Sequence, residues 1–280
     1  MNKKETLALW GEPQPVLGEG HVRLVDYMGD DAAIPQAARV SYGEGTQLIR
    51  FLMRHEHFSP FAMCQVKFHV RLPIYVHNQW VRHDRFHWNV MSGRYSEMPE
   101  ECWTPQPQDI RGQGVGNKQV ANGGLDEDAQ RVAHNMIGKT YHVIRRAYEC
   151  MLDDGVGREQ ARTVLPMGQY TEAYVTANLG DWMLFLRQRM DPHAQYEIRV
   201  YAMKVYEILL QLFPVTMQAF MDYQVNSVRL SAQEWAATQN ALGSFVEDLT
   251  EEPEQRKNFL SKFIPTKRER QEFWKKIRGY

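Results

Sequence analysis

The stretch from Gln79 to Tyr95, QWVRHDRFHWNVMSGRY, is the part of the chain richest in side chains that bind anions. Three arginines, two histidines, an asparagine, a serine and a glycine stand within its 17 residues. Guanidinium groups pair with two phosphate oxygens at once, while a serine hydroxyl and backbone N–H groups near a glycine add neutral donors. The pattern predicts a phosphate or similar anion site. A surface helix followed by a turn is the purely structural alternative.

His83 and His87 pose a competing hypothesis, because they form the pattern H-D-x-x-H. On a helix, two histidines four residues apart share one face and can bind a zinc ion together. However, Asp84 is one methylene shorter than the glutamate that acts as general base in zinc proteases, and no distal pattern marks a third ligand. No metal site is therefore predicted, and a zinc hydrolase is kept as an alternative function.

Two more segments place arginines where they could reach an anionic ligand. Arg158 and Arg162 stand one helical turn apart, and Arg189 lies near the end of one helix with His193 at the start of the next. An arginine at a helix C-terminus can also be purely structural, since it pairs with the last carbonyls. Three arginine-bearing segments that converge would nevertheless favour an anion site.

The elements that must position these residues are mostly helical. Residues 64–72 alternate between apolar and polar side chains and predict a strand, as do residues 21–28. A short helix capped by Asp30 or Asp31 is expected to run through Ala38. The other predicted helices cover 46–55, 73–83, 126–153, 158–164, 181–190 and 192–213. The sequence thus predicts an α/β or α+β fold, rich in helix, with a small sheet and a flexible, glycine-rich loop at 104–124.

Composition narrows the class of protein. The 280 residues carry 33 Lys and Arg against 34 Asp and Glu, which argues against binding to a nucleic acid polymer. No apolar run is long enough to span a bilayer, and the three cysteines lack a C-x-x-C pattern, so a cytoplasmic protein without membrane association is expected. Two regions are predicted, a main domain at 1–230 and a basic helical extension at 231–280.

Residues 82–95, RHDRFHWNVMSGRY, resemble the signature RHRxxSxNExSxRY of the flavin-dependent thymidylate synthases, also called thymidylate synthase complementing proteins. The resemblance continues, in order, through about residues 20–225. The further matching segments are LVDYMGDD…AARVSY (24–42), HEHFSPF (55–61), FHVRLPIYVHNQW (68–80), REQARTVLP (158–166) and FLRQRMDPHAQYEIRVYA (185–202).

The resemblance implies reductive methylation of uracil C5 in a uridine nucleotide, UMP and/or dUMP. Methylenetetrahydrofolate would donate the carbon, and FAD that is reduced by NADPH would donate the electrons. It also implies the family fold, with a mainly antiparallel sheet, and a homotetramer whose sites are shared between subunits. No base that would activate Cys64 is evident in the sequence, and a flavin mechanism requires no cysteine nucleophile.

The resemblance also assigns roles to individual residues. Arg189 matches the arginine that binds the uracil edge and stabilises the charge that develops on the ring, which makes it the predicted catalytic residue. The predicted nucleotide-binding residues are Gln79, Arg82, Ser92, Gly93, Arg94, Arg162 and Arg189. The predicted cofactor-binding residues are Ser59, Arg82, His83, Asp84, Asn178, His57 and His193.

Several positions depart from the family pattern, and most of them lie on the flavin side. The departing residues are Asp84, His87, Val90, Gly180 and Leu184. An aspartate in place of arginine reverses the charge beside an anionic pyrophosphate, for which nearby Arg85 is a candidate replacement. The pattern favours a divergent paralogue that methylates UMP, as in nucleoside-antibiotic pathways such as polyoxin biosynthesis. A non-catalytic nucleotide-binding descendant is the other alternative.

Overall fold

The computed structural model describes residues 10–39, 45, 47–115, 121, 123–240, 260–261, 263–264 and 266–278. The chain divides into two compact units, Met1–Asn226 and Ser227–Tyr280. In the second unit, residues 232–240 and Lys267–Arg278 are helical. Residues 40–42 of one matching segment, 116–120 and 122 of the predicted loop, and 241–259 of the predicted extension lie outside the described residues.

The first unit is built on one antiparallel sheet of five strands in the order β1-β2-β3-β5-β4. The strands are β1 (Gln14–Val16), β2 (Gly20–Met28), β3 (Gln65–Pro73), β4 (His87–Val90) and β5 (Tyr170–Asn178). In β3, every second residue from Val66 to Leu72 is buried, as the alternation of the sequence predicts. The predicted strands at 21–28 and 64–72 are confirmed. The other three strands were not predicted.

Eight α-helices are described in this unit. They are α1 (Ala33–Ala38), α2 (Gln47–Arg54), α3 (Ile74–Trp80), α4 (Glu127–Asp153), α5 (Arg158–Ala161), α6 (Leu179–Arg189), α7 (Tyr196–Leu212) and α8 (Pro214–Phe220). Every predicted helix has a counterpart, so the prediction of a helix-rich fold with a small antiparallel sheet is confirmed. Among the described residues, no helix combines the length and the apolar character that crossing a bilayer requires.

The core forms where α6 and α7 pack beside the sheet. The predicted stripe of α7, from Ile198 to Leu212, is buried. On α6, Trp182 and Phe185 are fully buried, and the Phe185 ring stacks on Trp80 of α3 with centroids 4.5 Å apart. Aromatic packing of this kind fixes α6 relative to the end of α3. The turn that follows α3 and the polar end of α6 are therefore held in place by one cluster of rings.

Candidate active site

The predicted catalytic arginine and one predicted flavin-side histidine meet in the structure. Arg189, at the end of α6, donates from Nε to Nε2 of His83 at 3.0 Å. His83 lies in the turn after α3, and its ring contacts Phe185 edge-on with centroids 5.1 Å apart. Since Nε2 accepts this bond, the ring proton sits on Nδ1. The two residues are 106 positions apart in sequence, and the aromatic core brings them together.

The electrostatics of this pair keep the histidine neutral. Burial and the positive charge of Arg189 lower the pKa of His83 to about 4, although the carboxylate of Asp84 acts in the opposite direction. Burial also lowers the pKa of Arg189 from its ordinary value. A neutral imidazole that accepts from a fixed guanidinium orients that guanidinium without cancelling its charge. The pair can therefore present positive charge to an electron-rich ligand atom.

A cavity of about 420 Å³ opens along the first turns of α6, and we call it the α6 cavity. Two predicted flavin-side residues, Ser59 and Asn178, line it, as do the two departing positions Gly180 and Leu184. Its other lining residues are Phe58, Ala62, Arg85, Asp181, Met183, Arg187, Phe220 and Gln224. The cavity thus combines apolar walls with a few polar groups, as small-molecule and cofactor sites generally do.

A hydrogen-bonded network at the start of α6 holds the guanidinium group of Arg85 at this cavity. Asn178 caps the helix, because its Oδ1 accepts from the N–H of Asp181 at 2.9 Å. Asp181 Oδ2 accepts from Asn178 Nδ2 at 2.5 Å, and Asp181 Oδ1 lies 3.3 Å from Nη1 of Arg85. The Asp181 side chain is only 10% exposed, so its position is well fixed. Because Asn178 fixes Asp181, the helix cap also holds Arg85 at the cavity wall.

Four of the predicted nucleotide-binding residues form a second cluster around the turn at 92–94. Gly93 is buried, and a Cβ built on it would lie 3.2 Å from Cδ of Arg162. Arg94 pairs with Glu159 of α5 at 3.3 Å, and both side chains are more than half exposed. The Ser92–Arg94 turn and the Arg162 segment therefore pack directly together, which brings four of the predicted nucleotide-binding residues into one place.

The remaining predicted residues lie apart from these contacts or only partly within them. Gln79, on α3, has a buried Oε1 to which no described group donates, so this oxygen could accept from a ligand. Arg82 and Asp84 are exposed in the turn after α3, and among the described residues neither lines the α6 cavity. His57 and His193 are exposed as well. His57 lies near the Phe51 ring, and His193 bonds to Asp191.

The structural premise of the zinc alternative is wrong. α3 ends at Trp80, residues 81–86 form a turn, and His87 begins β4, so His83 and His87 do not share a helical face. Among the described residues, no group of three or more histidine, cysteine or acidic side chains has the arrangement of a metal site. The imidazole Nε2 of His83 already accepts a hydrogen bond from Arg189, so this nitrogen is not free to bind a metal ion.

Cys64 lies fully buried just before β3, and its surroundings oppose ionisation. Burial raises the pKa of its thiol to about 11, and the carboxylates of Asp30 and Asp31 act in the same direction. A cysteine acts as a nucleophile through its thiolate, which is scarce here near neutral pH. Cys64 is therefore poorly suited to act as a nucleophile.

Several cavity residues are not indicated by any pattern in the sequence. Arg187 and Gln224 face the cavity and bond to each other, with Arg187 Nη1 donating to Oε1 of Gln224 at 3.0 Å. Phe58, Met183 and Phe220 supply its apolar wall. The only available signal was the position of Phe58 and Arg187 inside segments that match the family. Gln224 follows α8 in a short π-helix, Met221–Val225, which nothing in the sequence marked as part of a site.

The residues present fit a flavin. Aromatic and methionine side chains on one wall suit a planar ring system, while Ser59, Asn178 and two arginines suit its polar and anionic parts. The two guanidiniums outnumber the single carboxylate of Asp181 on the described wall, so the cavity favours negative charge. Ser59, Arg85, Asn178 and Arg187 are therefore the residues that would hold such a group.

Comparison with known proteins yields one family. A family model described as "Thymidylate synthase complementing protein" matches residues 23–215. The flavin-dependent thymidylate synthase of Wolbachia pipientis wMel is 42% identical over 235 residues, which cover 81% of this chain and 83% of that protein. The enzyme of the same name from Thermus thermophilus is 44% identical over 236 residues, covering 81% and 85%.

Similarity to solved structures indicates the same family. The crystal structure of a UMP/dUMP methylase, PolB, from Streptomyces cacaoi bound with 5-Br UMP superposes with a TM-score of 0.69 at 34% identity. That match covers 75% of this chain and 97% of the other. The same protein bound with 5-Br dUMP gives a TM-score of 0.68 at 32% identity. Together with the family model and the shared order of the matching segments, these similarities show that the chain belongs to the thymidylate synthase complementing protein family.

Proposed function

We propose that this chain is an FAD-dependent methyltransferase that builds a methyl group on C5 of the uracil ring in a uridine nucleotide. Methylenetetrahydrofolate is the proposed carbon donor and NADPH the proposed reductant. The observation that carries the proposal is the hydrogen bond from Arg189 to His83, because Arg189 ends the same helix, α6, whose first turns line the α6 cavity. One helix thereby connects a guanidinium suited to an electron-rich ring with a cavity suited to a flavin.

Arg189 is the residue proposed to act on the uracil ring. Negative charge develops on the ring while C5 reacts, and a fixed guanidinium stabilises that charge more than it stabilises the ground state. His83 holds the guanidinium in place through its neutral ring, with Nε2 as acceptor at 3.0 Å. Bound in the α6 cavity, reduced FAD would supply the electrons that convert the transferred methylene to a methyl group.

Arg94 and Arg162 are the proposed phosphate ligands, and Ser92 and the backbone at Gly93 are the proposed neutral donors. The Arg94–Glu159 ion pair is exposed on both sides, with 55% and 60% of the side chains accessible. Such pairs contribute little to stability, so Arg94 can exchange Glu159 for a phosphate at low cost. The close packing of Gly93 on Arg162 holds the second arginine beside the same turn.

We infer that UMP, rather than dUMP alone, is a substrate. The support is the similarity of this chain to the Streptomyces cacaoi methylase, whose solved structures contain analogues of both nucleotides. We also propose a homotetramer with sites shared between subunits, and a cytoplasmic location, because the family resemblance implies both. Sedimentation velocity of the purified protein tests the tetramer.

The function is tested by loading the purified protein with FAD and supplying NADPH, methylenetetrahydrofolate and either UMP or dUMP. We expect flavin absorption in the protein fraction and 5-methyl-UMP among the products. If only dUMP is methylated, UMP is not a substrate, but the proposed methylation of uracil C5 is still supported. Nucleotide binding without bound FAD or NADPH oxidation would instead indicate a non-catalytic member of the family.

A further inference from the structure

The family pattern has arginine at position 84, but this chain has aspartate there and arginine at the next position. We propose that Arg85 is the cation that holds the phosphate-bearing part of the flavin in the α6 cavity. The inference rests on the proposed function, since it names a residue for the cofactor of that reaction. It concerns binding and positioning of the cofactor, and assigns no proton or electron transfer to Arg85.

The two neighbouring side chains lie in different surroundings. Arg85 lines the α6 cavity, whereas among the described residues Asp84 does not. The Asp84 carboxylate is exposed and acts to raise the pKa of the neighbouring His83, against the larger effects of burial and Arg189. The cavity therefore has a guanidinium from the residue that follows position 84.

The Arg85 guanidinium is oriented by one carboxylate, but most of the side chain stays exposed. Its single described carboxylate contact is Asp181 Oδ1, 3.3 Å from Nη1, and 70% of the Arg85 side chain is exposed. An ion pair with so much solvent around one partner contributes little to folding. Asp181 is itself fixed by Asn178, so the carboxylate sets the direction of the guanidinium while other N–H donors of the fork stay available for phosphate oxygens.

The second arginine of the cavity is less suited to this role. Arg187 already donates to Oε1 of Gln224 at 3.0 Å, and Gln224 in turn donates to the backbone oxygen of Met53 at 3.5 Å. These bonds tie Arg187 to a neutral group on the cavity wall, where its charge adds to the attraction for anions. Arg85 lies on a turn and carries the exposed fork that bidentate phosphate binding requires.

The test is the affinity of flavin-free protein for FAD, measured by quenching of flavin fluorescence. Arg85→Ala is expected to raise the Kd about 10- to 100-fold, the effect of losing a charge-assisted hydrogen bond. Arg85→Lys should retain part of the affinity, because it keeps the charge but loses the fork. The control is Arg146→Ala on α4, whose side chain is 67% exposed and makes one ion pair, to Glu149 at 3.7 Å; its Kd should match that of the unmodified protein.

Salt provides a second readout that a structural role would not affect. The difference between Arg85→Ala and unmodified protein should shrink to about threefold or less in 1 M NaCl, since the Debye length is then about 3 Å. A Kd for Arg85→Ala within about twofold of the unmodified protein overturns the inference and leaves the proposed function standing, and a loss that is independent of salt overturns it as well. If the unmodified, folded protein binds no FAD at all, the proposed function fails together with the inference.

Discussion

Replacing His83 by phenylalanine tests whether this residue positions Arg189. Phenylalanine keeps a ring against Phe185, which His83 contacts with centroids 5.1 Å apart, but removes the acceptor that lies 3.0 Å from Nε of Arg189. Hydrogen bonds to charged groups contribute about 1.5–3 kcal/mol. Because Arg189 is only partly buried, water compensates for some of the loss, so we expect about 1.5–2.5 kcal/mol, or a roughly 10- to 70-fold fall in kcat/KM.

The assay is steady-state methylation by four proteins: the unmodified chain, His83→Phe, Arg189→Ala and the double variant. Loss of Arg189 should cost on the order of 3 kcal/mol, by analogy with removal of an oxyanion donor. If His83 acts only through Arg189, the double variant should be no slower than Arg189→Ala, within about threefold. The positioning role would be refuted if the fall in kcat/KM of the double variant equalled the product of the two single falls. It would also be refuted if kcat/KM of His83→Phe stayed within about twofold of the unmodified enzyme.

Three further predictions follow from neighbouring features. Gly93→Ala should raise the KM for the nucleotide several-fold, because the added Cβ would lie 3.0 Å from Sδ of Met98 and 3.2 Å from Cδ of Arg162; Gly138→Ala, with open space around its Cβ, is the control. Cys64→Ala should keep its turnover and lose about 1–2 kcal/mol of stability, because the buried thiol packs but does not react; loss of turnover in a folded variant would contradict this. The pKa of His83 is about 4 in the folded chain and 6.5 when unfolded, so protons favour the unfolded state between these values. As the pH drops from 6.5 to 4, urea unfolding should therefore show a loss of stability about 2–3 kcal/mol larger than that of His83→Phe, and equal losses in the two proteins would rule this out.

The regular elements could be predicted where periodicity is strong. β3 alternates cleanly over nine residues and α7 carries an apolar stripe over 17, and both formed as expected. β4 is only four residues long and lies inside the polar stretch, so its composition masked it. β5, YTEAYVTAN, has small and polar residues even at buried positions, and these weaken the alternation.

The site could be predicted only in part, because its geometry depends on long-range packing. Arginine and serine patterns indicated anion binding, and the family resemblance named His83 and Arg189 separately. Nothing in their spacing showed that the two side chains form a hydrogen bond. The role of Asp181 as an anchor for Arg85 was equally hidden, since an acidic residue in the first turn of a helix reads as ordinary dipole compensation.

The central claim, that flavin electrons produce the methyl group on uracil, is tested most directly by a single turnover without NADPH. Protein whose bound FAD has been reduced beforehand is mixed with methylenetetrahydrofolate and UMP or dUMP under anaerobic conditions. We expect one 5-methylated nucleotide for each FAD that is reoxidised, and far slower reoxidation in Arg189→Ala. Reduced FAD that persists with no methylated product from either nucleotide, or methylation without FAD reoxidation, would contradict the account.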